Sequence, residues 1–111
     1  AQRLHALAAG AAERVGAGSL RLAGAHRQAA GQLAGVILNA GAYTHTSIAL
    51  HDAIKGTGVT LIELHISNVH AREAFRHHSY IAPAARAVMA GFGVNGYALA
   101  IAALAQMEQP R

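Results

Sequence analysis

The chain of 111 residues is 53% hydrophobic and only 13% charged, against about 25% charged in a typical soluble domain, and nine Lys and Arg against five Asp and Glu leave a net charge of +4. Its basic residues stand singly or in pairs, which gives no nucleic-acid footprint, and the lack of cysteine excludes disulfides, thiolate metal ligands and a cysteine nucleophile. A single domain over residues 1–111 is expected, with a mild positive balance that suits a small anionic substrate and an apolar surface that predicts a homo-oligomer.

Residues 1–15 lack the pattern of a secretory leader, so a cytoplasmic location is expected. Leu4, Leu7, Ala8, Ala11 and Val15 recur at helical spacing and predict an amphipathic helix ended by Gly16 and Gly18. A second helix is expected over residues 25–33. Val36-Ile37-Leu38 then reads as a short strand buried on both faces, ending at Asn39. After a loop, a helix capped by Thr46 or Ser47 should run to about Lys55 and close at Gly56 and Gly58.

Residues 59–65 form the next expected strand, residues 66–82 a long polar loop, and residues 87–90 a third apolar strand. The last helix should begin after Gly96 and end near Glu108. Residues 87–105 are apolar enough to imitate a membrane span, but the glycines and Asn95 in their middle read as a turn between two buried elements, and no membrane association is expected.

Strands alternating with helices predict an α/β fold with a parallel sheet. Right-handed crossovers would place the carboxyl ends of the strands on one edge, where such sheets bind ligands. Asn39 ends one strand there and His65 another. Period-two alternation puts Glu63, His65 and Ser67 on one face if extended geometry persists to Ser67. His65 offers a titratable acid, Ser67 and Asn39 neutral hydrogen-bonding groups, and Arg76 a fixed cation, a set suited to a polyhydroxylated carboxylate.

Competing motifs are weaker. Residues 91–96, GFGVNG, match GxGxxG, but about fifteen residues follow, too few for the next strand and its acidic residue, so a tight turn is expected. The eight histidines show no HExxH-type spacing, and no metal site is expected. No GxSxG surrounds Ser47, Ser67 or Ser79. Tyr43 and Tyr80 read as packing residues.

Three segments, LNAGAYTHTS over residues 38–47, ELHISNVHAREAFRHHSYIAP over 63–83 and GFGVNGYALAIAAL over 91–104, resemble the type II 3-dehydroquinate dehydratases, or type II dehydroquinases, of the shikimate pathway. The match runs almost without gaps over residues 35–104. The resemblance implies a flavodoxin-like three-layer sandwich, a dodecamer built from trimers, no cofactor, and dehydration of 3-dehydroquinate to 3-dehydroshikimate through an enolate. It implies that His65 is the general acid protonating the departing C1 hydroxyl and that Asn39 holds the water stabilising the enolate. Ile66 and Ser67 would bind the carboxylate, His45 and Arg76 the ring hydroxyls, and Asp52 would reach the site of a neighbouring subunit.

Ala40 replaces the family's commoner proline after Asn39. The family's first strand, GPNLNLLG, its lid with an arginine and the tyrosine base, and its SNHEG-like turn have no recognisable counterpart in residues 1–34. An amino end that is truncated or altered is therefore expected. The alternative is a catalytically impaired remnant that keeps the carboxylate pocket without the base.

Overall fold

The computed structural model describes residues 3–7 and 33–107. Four parallel strands, β1 (Arg3–Leu7), β2 (Leu33–Leu38), β3 (Leu61–His65) and β4 (Ala87–Ala90), form one sheet in the order β1-β2-β3-β4. Two α-helices, α1 (Ile48–Thr57) and α2 (Gly96–Met107), and five short 3-10 turns complete the elements among the described residues.

The alternation along the strands divides the core. Val36, Leu38 and Leu61 face α1, where Leu50 and Ile54 pack with Ile81 into one apolar cluster. Ile37, Ile62 and Leu64 point the other way and meet Ala100 and Leu104 of α2. Helices therefore cover opposite faces of β2 and β3, which explains why these strands carry apolar residues on both faces, with Glu63 and His65 of β3 as buried polar exceptions. The three-layer, flavodoxin-like α/β arrangement expected from the sequence is present.

Local chemistry sets the element ends. The Ser47 hydroxyl accepts from the Leu50 amide at 3.0 Å and caps α1. Gly58 ends the helix in the left-handed region at φ 66°, a conformation glycine adopts without steric penalty. The GFGVNG segment is the tight turn it was expected to be: Gly91 and Gly93 have φ of 94° and 63°, and Gly96 starts α2 so close to the sheet that a Cβ there would lie 2.9 Å from Leu64 Cδ1. Residues 87–105 thus split into a strand and a helix. No helix among the described residues is long and apolar enough to cross a membrane.

One expected element is corrected. Arg3–Leu7 forms a strand paired with β2, with Leu4 opposite Gly35 and Leu7 opposite Leu38, where a helix was expected. A short helical pattern is not self-sustaining, and pairing along a buried strand satisfies the same backbone groups. The rest of that expected helix, and the one expected over residues 25–33 except Leu33, which opens β2, lie outside the described residues.

Candidate active site

The carboxyl ends of β2 and β3 open into a cavity of about 280 Å³ lined by Asn39, Gly41, Ala42, His45, His65, Ile66, Ser67, Val69, Arg72 and Arg76. Six of the seven residues singled out from the sequence meet here: Asn39, His45, His65, Ile66, Ser67 and Arg76. The seventh, Asp52, is exposed on α1 and does not line this cavity.

His65 is the last residue of β3 and only 6% exposed. Two residues earlier on the same strand face, Glu63 is 1% exposed and accepts a short hydrogen bond from His65 Nε2. A carboxylate can only accept, so the Nε2 proton belongs to the ring and Nδ1 is left to exchange a proton with a bound molecule. The second Glu63 oxygen accepts from the Ser79 hydroxyl at 2.9 Å. The buried Glu63 side chain thus has a donor on each oxygen, as its burial demands.

Asn39 is fixed at both ends of its amide. Oδ1 accepts from the Gly41 amide at 3.1 Å, and Nδ2 donates to the Tyr97 hydroxyl of α2 at 3.2 Å. His45, on a 3-10 turn over Gly41–His45, donates from Nδ1 to the His78 carbonyl at 2.8 Å, which fixes its tautomer. Its ring stacks on that of His65 with centroids 6.4 Å apart and planes at 11°. Gly91 and Gly93 bind the carbonyls of His65 and Ile66 at 3.1 and 2.9 Å, so the glycine turn holds the end of β3 in place.

Arg72 and Arg76 give the cavity wall its positive charge. Both approach Glu73, Arg76 through Nε at 3.0 Å and Arg72 at 3.7 Å. The hydrogen bond from Arg76 is the main reason the exposed Glu73 carboxyl titrates below its ordinary value. The polar loop is not formless: Val69–Ala71, Ala74–His77 and Ala82–Ala84 are 3-10 turns, and the Asn68 side chain caps the first of them by accepting from His70 N. Among the described residues no group of three or more His, Asp or Glu could hold a metal ion.

Sequence reasoning assigned no role to Glu63, Ser79, Arg72 or Tyr97. Glu63 carried a usable signal, its two-residue spacing from His65 on a strand. Ser79 and Tyr97 carried none, because each reaches its partner across 16 and 58 residues of chain.

Residues 20–105 match the family model described as dehydroquinase class II. A 3-dehydroquinate dehydratase of an Acidovorax species is 81% identical over 78 residues, covering 70% of this chain and 53% of that protein. The 3-dehydroquinate dehydratase 2 of Ralstonia nicotianae is 73% identical over 81 residues, covering 73% and 53%. The crystal structure of the type II dehydroquinase from Propionibacterium acnes superposes with a TM-score of 0.68 at 41% identity, over 78% of this chain and 63% of that one. The chain spans about half the length of the curated relatives it matches.

Proposed function

We propose a function for this chain from one premise: it belongs to the dehydroquinase class II family. Its cavity takes 3-dehydroquinate and removes water from it to give 3-dehydroshikimate. The observation that carries this reading is that His65, backed by the buried Glu63, lines one cavity together with Ser67, Arg72 and Arg76.

In the reaction a base that the described cavity lining does not supply takes the proton from C2 and the electron pair moves into an enolate, which then collapses to the ring double bond as the C1 hydroxyl takes a proton and departs as water. His65, as the imidazolium held by Glu63, protonates that hydroxyl. Asn39, locked between Gly41 and Tyr97, holds the water that stabilises the enolate oxygen. The Ile66 backbone and Ser67 hydroxyl take the carboxylate, and His45 and Arg76 hold the ring hydroxyls. The residues lining the cavity include no tyrosine, so the described cavity carries the acid side of the reaction.

The domain works as part of an oligomer, a dodecamer built from trimers and located in the cytoplasm. Ile48, Phe75, Val88, Phe92 and Val94, each more than half exposed, support a surface covered by further copies. Asp52 then reaches from exposed α1 into a neighbouring subunit's site. Thermal melting tests the substrate. At about 100 times its dissociation constant a ligand adds about 2.7 kcal/mol, which for a domain near this size raises the melting temperature by roughly 10–20 °C. 3-Dehydroquinate should produce such a shift, and Arg76→Ala should abolish most of it; no shift at millimolar ligand would sink the reading.

A further inference from the structure

Ser79 lies outside the set of residues lining the cavity, yet its hydroxyl makes three hydrogen bonds, one of them to the carboxylate that meets His65. It accepts from the amides of Ile81 and Ala82, each at 3.0 Å, and lies 2.9 Å from Glu63 Oε1. A serine hydroxyl has two lone pairs and one proton. Two accepted bonds occupy the lone pairs, so the proton is directed to Glu63. Ser79 therefore does more than shape the following turn, because a turn-forming role would use the lone pairs alone.

The backbone around it is pinned from three directions. His45 donates to the His78 carbonyl at 2.8 Å, the Tyr80 amide donates to the Thr44 carbonyl at 2.8 Å, and His51 Nδ1 donates to the Tyr80 carbonyl at 2.7 Å. Ile81, fully buried, anchors the next residue in the core beside α1. These contacts tie the segment to the turn and helix that follow β2, so Ser79 is delivered to Glu63 by parts of the chain far from β3.

We propose that Ser79 is a positioning residue for the dehydration: acting through Glu63, it fixes the carboxylate so that the other oxygen meets His65 Nε2 and holds the ring ready to donate from Nδ1. This rests on the proposed function for its kinetic consequence, but the geometry it asserts is independent of turnover. Without the serine proton, Glu63 Oε1 is an unpaired acceptor in a buried site, the carboxylate is no longer fixed in rotation, and His65 loses its fixed partner.

Ser79→Ala, Ser79→Thr, Glu63→Gln and the Ser79→Ala, Glu63→Gln double variant test it, with folding checked by circular dichroism. Turnover of 3-dehydroquinate should fall about 10- to 100-fold in kcat in Ser79→Ala, the scale of a misplaced catalytic group, with KM within about twofold. Ser79→Thr should restore most of the rate. In the Glu63→Gln background, Ser79→Ala should add about twofold or less, because the route through the carboxylate is already cut. In parallel, the Nε2–H signal of His65 in protein labelled with 15N-histidine, assigned by its loss in His65→Gln, should move in Ser79→Ala and return in Ser79→Thr.

An equal loss from Ser79→Ala in both backgrounds, or an unmoved His65 signal, overturns the proposal. If the unaltered protein turns over no 3-dehydroquinate, the functional reading fails and the His65 signal alone decides: a shift supports the positioning and no shift overturns it. Should Ser79→Ala not fold, Ser79→Cys, a weak donor of similar size, takes its place with the same expected and opposing results.

Discussion

Glu63→Gln exchanges one oxygen of a carboxylate that is 1% exposed for an amide nitrogen, with almost no change in volume. Ser79 donates to one of the two positions and His65 to the other, so the amide oxygen can satisfy only one of them. If it stays with Ser79, the amide NH2 meets the His65 Nε2–H, donor against donor, and the ring must surrender that proton and hold its remaining one on Nδ1 as a neutral imidazole. The protonated ring then has no anion beside it. A hydrogen bond to a charged group contributes about 1.5–3 kcal/mol, and about 1.4 kcal/mol is a factor of ten in rate. The expected loss in kcat/KM for 3-dehydroquinate is therefore roughly 10- to 150-fold. Initial rates followed by the ultraviolet absorbance of the conjugated product measure it. A rate within about twofold of the unaltered protein would falsify the view that the buried carboxylate holds His65 as the acid.

Two further outcomes follow from the same geometry. Tyr97→Phe removes the oxygen that receives the Asn39 amide at 3.2 Å and leaves Gly41 as the remaining partner of that side chain; it should cost about 0.5–1.5 kcal/mol in kcat/KM with little change in melting temperature, and unaltered kinetics would show that Asn39 needs no partner on α2. Glu73 titrates below its ordinary value of 4.5 because Arg76 donates to it, so the folded state favours its ionised form. The pair thus contributes stability above the ordinary carboxylate range and loses it as pH falls through the depressed value. A carbon-13 titration of the Glu73 carboxyl should give a midpoint below 4.5 that rises in Arg76→Gln, and a midpoint unaffected by that change would contradict the pairing.

The parts of the fold legible in the sequence are those where side-chain type and backbone need coincide. The apolar strands β2 and β3, the serine cap of α1, its glycine stop and the glycine turn before α2 each have one economical structure, and each was expected within a few residues. Residues 3–7 were misread because a helical spacing of Leu4 and Leu7 says nothing about the strand edge of β2 that lies beside them, and long-range pairing decided the matter. The lining of the candidate cavity was legible where strand ends concentrate polar groups, at Asn39, His65 and Ser67, and the family resemblance added His45 and Arg76. What holds these groups was not legible. Glu63 was seen to share the face of His65, but only burial turns that neighbour into an obligatory partner, while Ser79 and Tyr97 reach the site by tertiary contact alone.

Turnover of 3-dehydroquinate by this chain, with His65→Ala measured beside it, tests the central claim most directly. The account expects absorbance of the conjugated product to appear and its rate to fall about 10²- to 10⁴-fold in the variant, the usual contribution of a positioned general acid. Product formed at the same rate by both proteins, or no product from a folded chain that leaves the substrate untouched, would contradict it.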